Sequence, residues 1–217
     1  SENRLESTYS EKNMKKKNLK YALMMNAVII LLECIGLSMS AGQMGMRAFL
    51  MYTEDSNILN LVMCTIFLIM GIRSYHAEQP VEHWVKVCRY VGVCTISLTF
   101  LVVVLVLAQE SGYEAFLIQG QFKFTHLLCP VMSFLSFVLF EQEPKLEKKD
   151  TAAAVIPTLV YAVILIALNL AKTVTGPYPF LQVYRQPWYI SVLWAGLILG
   201  GAYLFAAGMV KLDQRRH

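Results

Sequence analysis

SLTFLVVVLVLA, residues 97–108, carries no charged side chain and forms the centre of an apolar segment over 84–109. An α-helix needs about 20 predominantly apolar residues to cross the hydrocarbon core of a bilayer, and this segment has them. Working outward, five further segments of the same kind stand at 19–39, 56–73, 123–141, 152–171 and 188–211. Hydrophobic residues make up 56% of the 217-residue chain and charged residues 16%. Its mean hydropathy is +0.49, outside the range of an ordinary soluble domain. The expected fold class is all-α, an integral membrane bundle of six transmembrane helices. The expected divisions are a basic N-terminal segment over 1–18, the transmembrane domain over 19–211 and a basic tail over 212–217.

Lys and Arg set the orientation. Fifteen fall on the segments that share a side with the N-terminus, and four (Arg47, Lys123, Lys172, Arg185) fall on the other. The side richer in Lys and Arg faces the cytoplasm, so both termini are expected there, in contact with anionic lipid headgroups. Lys15–Lys17, then a nineteen-residue apolar run (Leu19–Leu37) and Ser38-Met39-Ser40-Ala41, imitate a cleaved signal peptide, but the run is long enough to be a retained anchor. Short Lys-rich inner loops suit a bacterial inner membrane. The five cysteines show neither CxxC pairing nor zinc-ligand spacing, so no metal or cofactor is expected, and no nucleic-acid-reading motif occurs. His76, Glu78, Glu82 and His83 read as solvated loop residues.

Polar residues within the apolar segments carry the functional question. Thr53, Asn57, Asn60 and Cys64 stand at i, i+4, i+7 and i+11, one face of a 3.6-period helix. Asp55 and Ser56 read as caps at the start of that helix, with Glu54 and Asp55 favouring the positive end of its dipole. His126 is the one histidine within an apolar segment, and ionisable groups in membranes are functional candidates by default. Pro130 should kink the fourth helix. Asn26 and Glu33, seven residues apart on the first, are expected to position or bridge, with Glu33 partly hydrated toward the outer end. Tyr178, in the outer connection over 173–187 with Pro179, Phe180 and Tyr184, reads together with Trp188 and Tyr189 at the start of the sixth segment first as part of an aromatic interface belt and second as a lid.

MYTEDSN before the second segment, FTHLLCP opening the fourth and GPYPFLQV before the sixth resemble the six-span prokaryotic relatives of the androgen-induced membrane hydrolases, over residues 20–211. That resemblance implies an intramembrane lipid esterase acting on fatty acid esters, with Thr53 as nucleophile and His126 as base. Asn57 is then the candidate oxyanion donor or histidine orienter, Asn60 lies on the same face, and Cys129 is a second candidate nucleophile. The residues themselves leave open a non-enzymatic transporter or small-molecule binding protein using the same pocket.

Overall fold

The computed structural model describes residues 2–216, with the side chains of residues 2–8, 110, 111 and 179 outside that description. Ser1 and His217, the ends of the two terminal segments, lie outside the described residues. The fold is helical, with no strand among the described residues. Six long helices form it: α1 (Glu2–Met44), α2 (Tyr52–Ala77), α3 (His83–Leu107), α4 (Lys123–Leu139), α5 (Asp150–Leu170) and α6 (Trp188–Gln214). All but α4 are long and apolar enough to cross a membrane, which makes this a multi-pass membrane protein by helix length and composition.

The fourth helix is shorter than its sequence suggests. Its last residue is Leu139, and Glu141, expected at the end of the span, is drawn instead into the protein core. At a rise of 1.5 Å per residue its 17 residues reach about 25 Å, against a core of about 30 Å. Pro130 donates no N–H, and the helix upstream of it widens into a π-helical stretch, Lys123–Leu128, before resuming as α-helix at Cys129.

The first helix runs unbroken from Glu2 through the basic segment into the span. The last helix continues to Gln214, and Asp213, in the basic tail, is buried.

The central helix is α3, which packs against α2, α4, α5 and α6, while α1 lies against α2 and α4. In its apolar window 61% of residues are buried, against 28% or fewer in the other four crossing-length helices. Tyr90, Val93 and Cys94 of α3 meet Phe137 of α4, Ala154 of α5 and Ala206, Met209 and Val210 of α6 in one apolar cluster. Helices α2 and α5 both flank α3, and Tyr52 at the start of α2 reaches Thr158 and Tyr161 of α5.

Ion pairs bring Lys12 and Lys16 to Glu78, Lys15 to Glu143 and Lys86 to Asp213, so these residues share one end of the bundle. At the other end, α2 starts level with the middle of α5. The Tyr52 hydroxyl lies 2.7 Å from Thr158 Oγ1, and the Tyr161 hydroxyl donates to the Leu50 carbonyl at 2.8 Å.

Candidate functional site

The second helix begins at Tyr52, four residues before the predicted start. Its N-cap, Met51, offers no side-chain hydrogen bond, so Asp55 and Ser56 are not caps. Ser56 Oγ donates to the Thr53 carbonyl at 2.9 Å and lies 2.6 Å from Thr99 Oγ1 of α3. Thr53, Asn57, Asn60 and Cys64 are all buried, as their helical spacing requires. That one face serves two separate places.

The first is a narrow cavity of about 60 Å³ beside Thr53, enclosed by α3, α5, α6 and the connection over 173–187. Apolar side chains wall it, interrupted by the hydroxyl-bearing Tyr52, Thr53, Thr99, Thr158, Tyr161, Tyr178 and Ser191. The connection folds back over the cavity: Tyr178 and Phe180 are buried and stacked at 5.2 Å, and the Tyr178 hydroxyl accepts the Thr53 N–H at 3.2 Å. Tyr184, Trp188 and Tyr189 remain exposed at 57–77%, as an interface belt would be. The aromatic segment thus divides into a cap and a belt.

His126 is buried on the π-helical turn of α4 and lines neither this cavity nor the groove beside it. No hydrogen bond joins it to Thr53. Its ring stacks on Phe122 at 4.6 Å, and Nδ1 lies 2.9 Å from the Phe116 carbonyl. A carbonyl only accepts, so Nδ1 carries a proton; in the neutral ring the lone pair then lies on Nε2, which has no partner. Asn57 links the two backbones. Its amide donates to the Thr53 carbonyl at 2.6 Å and to the Thr125 carbonyl at 3.2 Å, placing those oxygens within about 6 Å of each other. Both amide hydrogens are used in this clamp, so Asn57 has none for an oxyanion.

The second place is a charged network around Arg89 that the sequence did not announce. Arg89 is fully buried; it contacts Glu141 at 3.2–3.3 Å and donates to Asn60 Oδ1 at 3.1 Å and the Ser133 carbonyl at 3.3 Å. Asn60 donates to Glu33 at 2.8 Å and to Ser133 Oγ at 3.0 Å. Asn26 donates to Glu141 at 2.8 Å. Glu33 is therefore fully buried and hydrogen-bonded, not partly hydrated as predicted. Cys129 is buried against Glu33, away from both cavities. Lys86, one turn toward the ion-paired end, contacts Asp213 at 3.0 Å and the carbonyls of Glu141 and Gln142. Lys86 and Arg89, counted among the fifteen basic residues that set the orientation, are interior residues; the signal was their position inside the apolar segment over 84–109. Glu54 is buried, with the Ser40 hydroxyl as its polar neighbour.

Compared with known proteins, the chain matches no family model, no curated protein and no solved structure.

Proposed function

We propose that this chain is an intramembrane lipid esterase, related to the androgen-induced membrane hydrolases. In this reading α4 is a sixth, short span, both termini are cytoplasmic, and a bacterial inner membrane is the host. Its substrate is a membrane lipid bearing a fatty acyl ester. One observation carries the reading: a threonine at the wall of a capped apolar cavity is tied through Asn57 to the backbone beside a histidine whose Nε2 is unprotonated and unpartnered. An apolar lining suits the part of an acyl chain nearest the ester, and an imidazole pinned at Nδ1–H is in the tautomer that a general base needs.

In the reaction, Thr53 Oγ1 bonds to the ester carbonyl carbon while Nε2 of His126 takes the hydroxyl proton. The tetrahedral intermediate expels the alcohol, which leaves with that proton. Water then attacks the acyl-threonine, passing a proton to Nε2, and the fatty acid departs as the threonine hydroxyl is restored. The resting arrangement holds base and nucleophile apart, so turnover requires Nε2 to close on Thr53, as catalytic hydrogen bonds often tighten only with substrate bound.

A fluorophosphonate probe tests this directly. Wild-type protein in detergent or nanodiscs should be labelled, and Thr53→Ala and His126→Ala should not. Labelling that persists in both variants overturns the assignment. The lack of a Thr53–His126 hydrogen bond favours a second reading, non-catalytic binding of a small apolar molecule in the same cavity; it predicts no labelling of the wild type.

A further inference from the structure

A groove of about 370 Å³ opens between α2 and α5, with Thr95 of α3 in its lining. Its volume falls within the range of small-molecule sites, several times that of the inner cavity. Tyr52 and Tyr161 line both spaces, so the two tyrosines form the partition between the groove and the cavity beside Thr53. Their rings meet edge to face at 5.1 Å. Asp55 lies at the same level, half-buried, and its carboxylate makes no hydrogen bond or ion pair with any described residue. Among the residues lining the groove and the cavity it is the only charged one.

The geometry points to a binding site for a single-chain amphiphile with an ammonium head, entering sideways between α2 and α5. The proposal rests on the esterase reading for the fate of the ligand but not for its binding. A carboxylate in a space lined by aromatic rings is an environment that quaternary and primary ammonium groups prefer, and Phe49, Tyr52 and Tyr161 line the same groove as Asp55. The partly buried, unpaired charge is compensated when a cation arrives, and an anionic head meets only repulsion there. Val160 and Ile164, each 50% exposed on α5, give the alkyl chain an apolar wall along the groove. The tyrosine pair then separates a head at Asp55 from the hydroxyl of Thr53, so an ester placed close to an ammonium head would sit at the partition.

The test uses the full chain in nanodiscs of uncharged lipid, with three spin-labelled amphiphiles of one alkyl length whose heads are trimethylammonium, dihydroxypropyl or carboxylate. The trimethylammonium probe should bind about tenfold more tightly than the carboxylate probe. Asp55→Asn should bring the two within about threefold of each other, and Val160→Trp, which fills the groove without altering charge, should weaken both alike. Equal or tighter binding of the carboxylate probe overturns the proposal. So does a head-group preference that survives in Asp55→Asn. Hydrolysis of matched choline, glycerol and hydroxy-acid esters is measured alongside. Intact head-group preference with no hydrolysis removes the esterase reading and leaves this one standing; hydrolysis without head-group preference does the reverse.

Discussion

Replacing Arg89 with Met tests whether the buried network is what sets the bundle's geometry. The substitution keeps most of the apolar stem but removes the guanidinium, leaving Glu141 without its cation inside the protein. Breaking a buried pair from one side costs about 3–5 kcal/mol. Glu141 Oε1 would retain hydrogen bonds from Ser136 at 2.6 Å and Asn26 at 2.8 Å, so the lower end of that range applies. About 3 kcal/mol corresponds to a factor of about 150 in the unfolding equilibrium. Glu141→Leu alone strands the guanidinium against only the Asn60 and Ser133 oxygens, and should cost about as much. The double variant Arg89→Met/Glu141→Leu removes both charges and should be destabilised by clearly less than the sum of the two, a coupling of at least about 2 kcal/mol. Equilibrium unfolding in mixed micelles, titrated with dodecyl sulfate and followed by circular dichroism, measures all four proteins. If Arg89→Met costs less than about 1 kcal/mol, or the double variant is simply additive, the pair does not hold the helices together.

Other perturbations follow from single contacts. A Cβ at Gly176 would lie 2.5 Å from the Leu181 carbonyl oxygen, so Gly176→Ala should cost about 1–3 kcal/mol and lift the cap off Thr53, read as faster alkylation of a cysteine placed at Thr158. Asn57→Ala removes the clamp between the Thr53 and Thr125 carbonyls; it should slow fluorophosphonate labelling at least tenfold, and an unchanged rate would mean that the clamp does not position the base. Lys16 and Lys12 hold the exposed Glu78 carboxyl below the usual carboxylate range. A lowered folded value means that the contact stabilises above the ordinary carboxylate pKa and is lost as pH falls through the lowered one. Glu78→Gln should therefore raise hydrogen exchange over residues 9–17 at neutral pH, and the difference from wild type should vanish in acid.

The membrane class was legible because apolar run length is a direct physical requirement of the bilayer, and SLTFLVVVLVLA meets it without help from any other part of the chain. The inward face of α2 was legible for a similar reason: four small polar residues repeat at the helical period, and all four are buried. Lys86 and Arg89 were not legible as interior groups. A basic residue near the end of an apolar run reads as a boundary marker, and only the fold shows that Glu141 and Asp213, distant in sequence, arrive to pair with them. The length of α4 was missed for a related reason, since Glu141 at its predicted end turns inward as the partner of Arg89. The start of α2 was misplaced because Asp55 and Ser56 resemble caps, while the structure uses one hydroxyl to bridge to α3 and leaves the carboxylate in a groove.

The two polar regions of α2 divide the labour within one helix. Around Asn60 the polar atoms are tied to four helices, α1, α2, α3 and α4: Arg89 is paired with Glu141, Glu33 is held by Asn60, and no cavity is described beside them. Such a network fixes positions and offers no place for a substrate. One turn or two earlier, around Thr53 and Asp55, the same helix faces a space that α5 does not fill, with an unpaired carboxylate on one side of a tyrosine partition and a hydroxyl on the other. Rigid packing on the α1–α4 side is what allows the α5 side to stay open without the bundle collapsing into the gap. If that is the arrangement's logic, loosening the network should close or distort the groove at a distance. Asn60→Leu should then weaken the trimethylammonium probe although Asn60 touches neither space, whereas unchanged binding in a folded Asn60→Leu protein would show that the groove keeps its shape without the network.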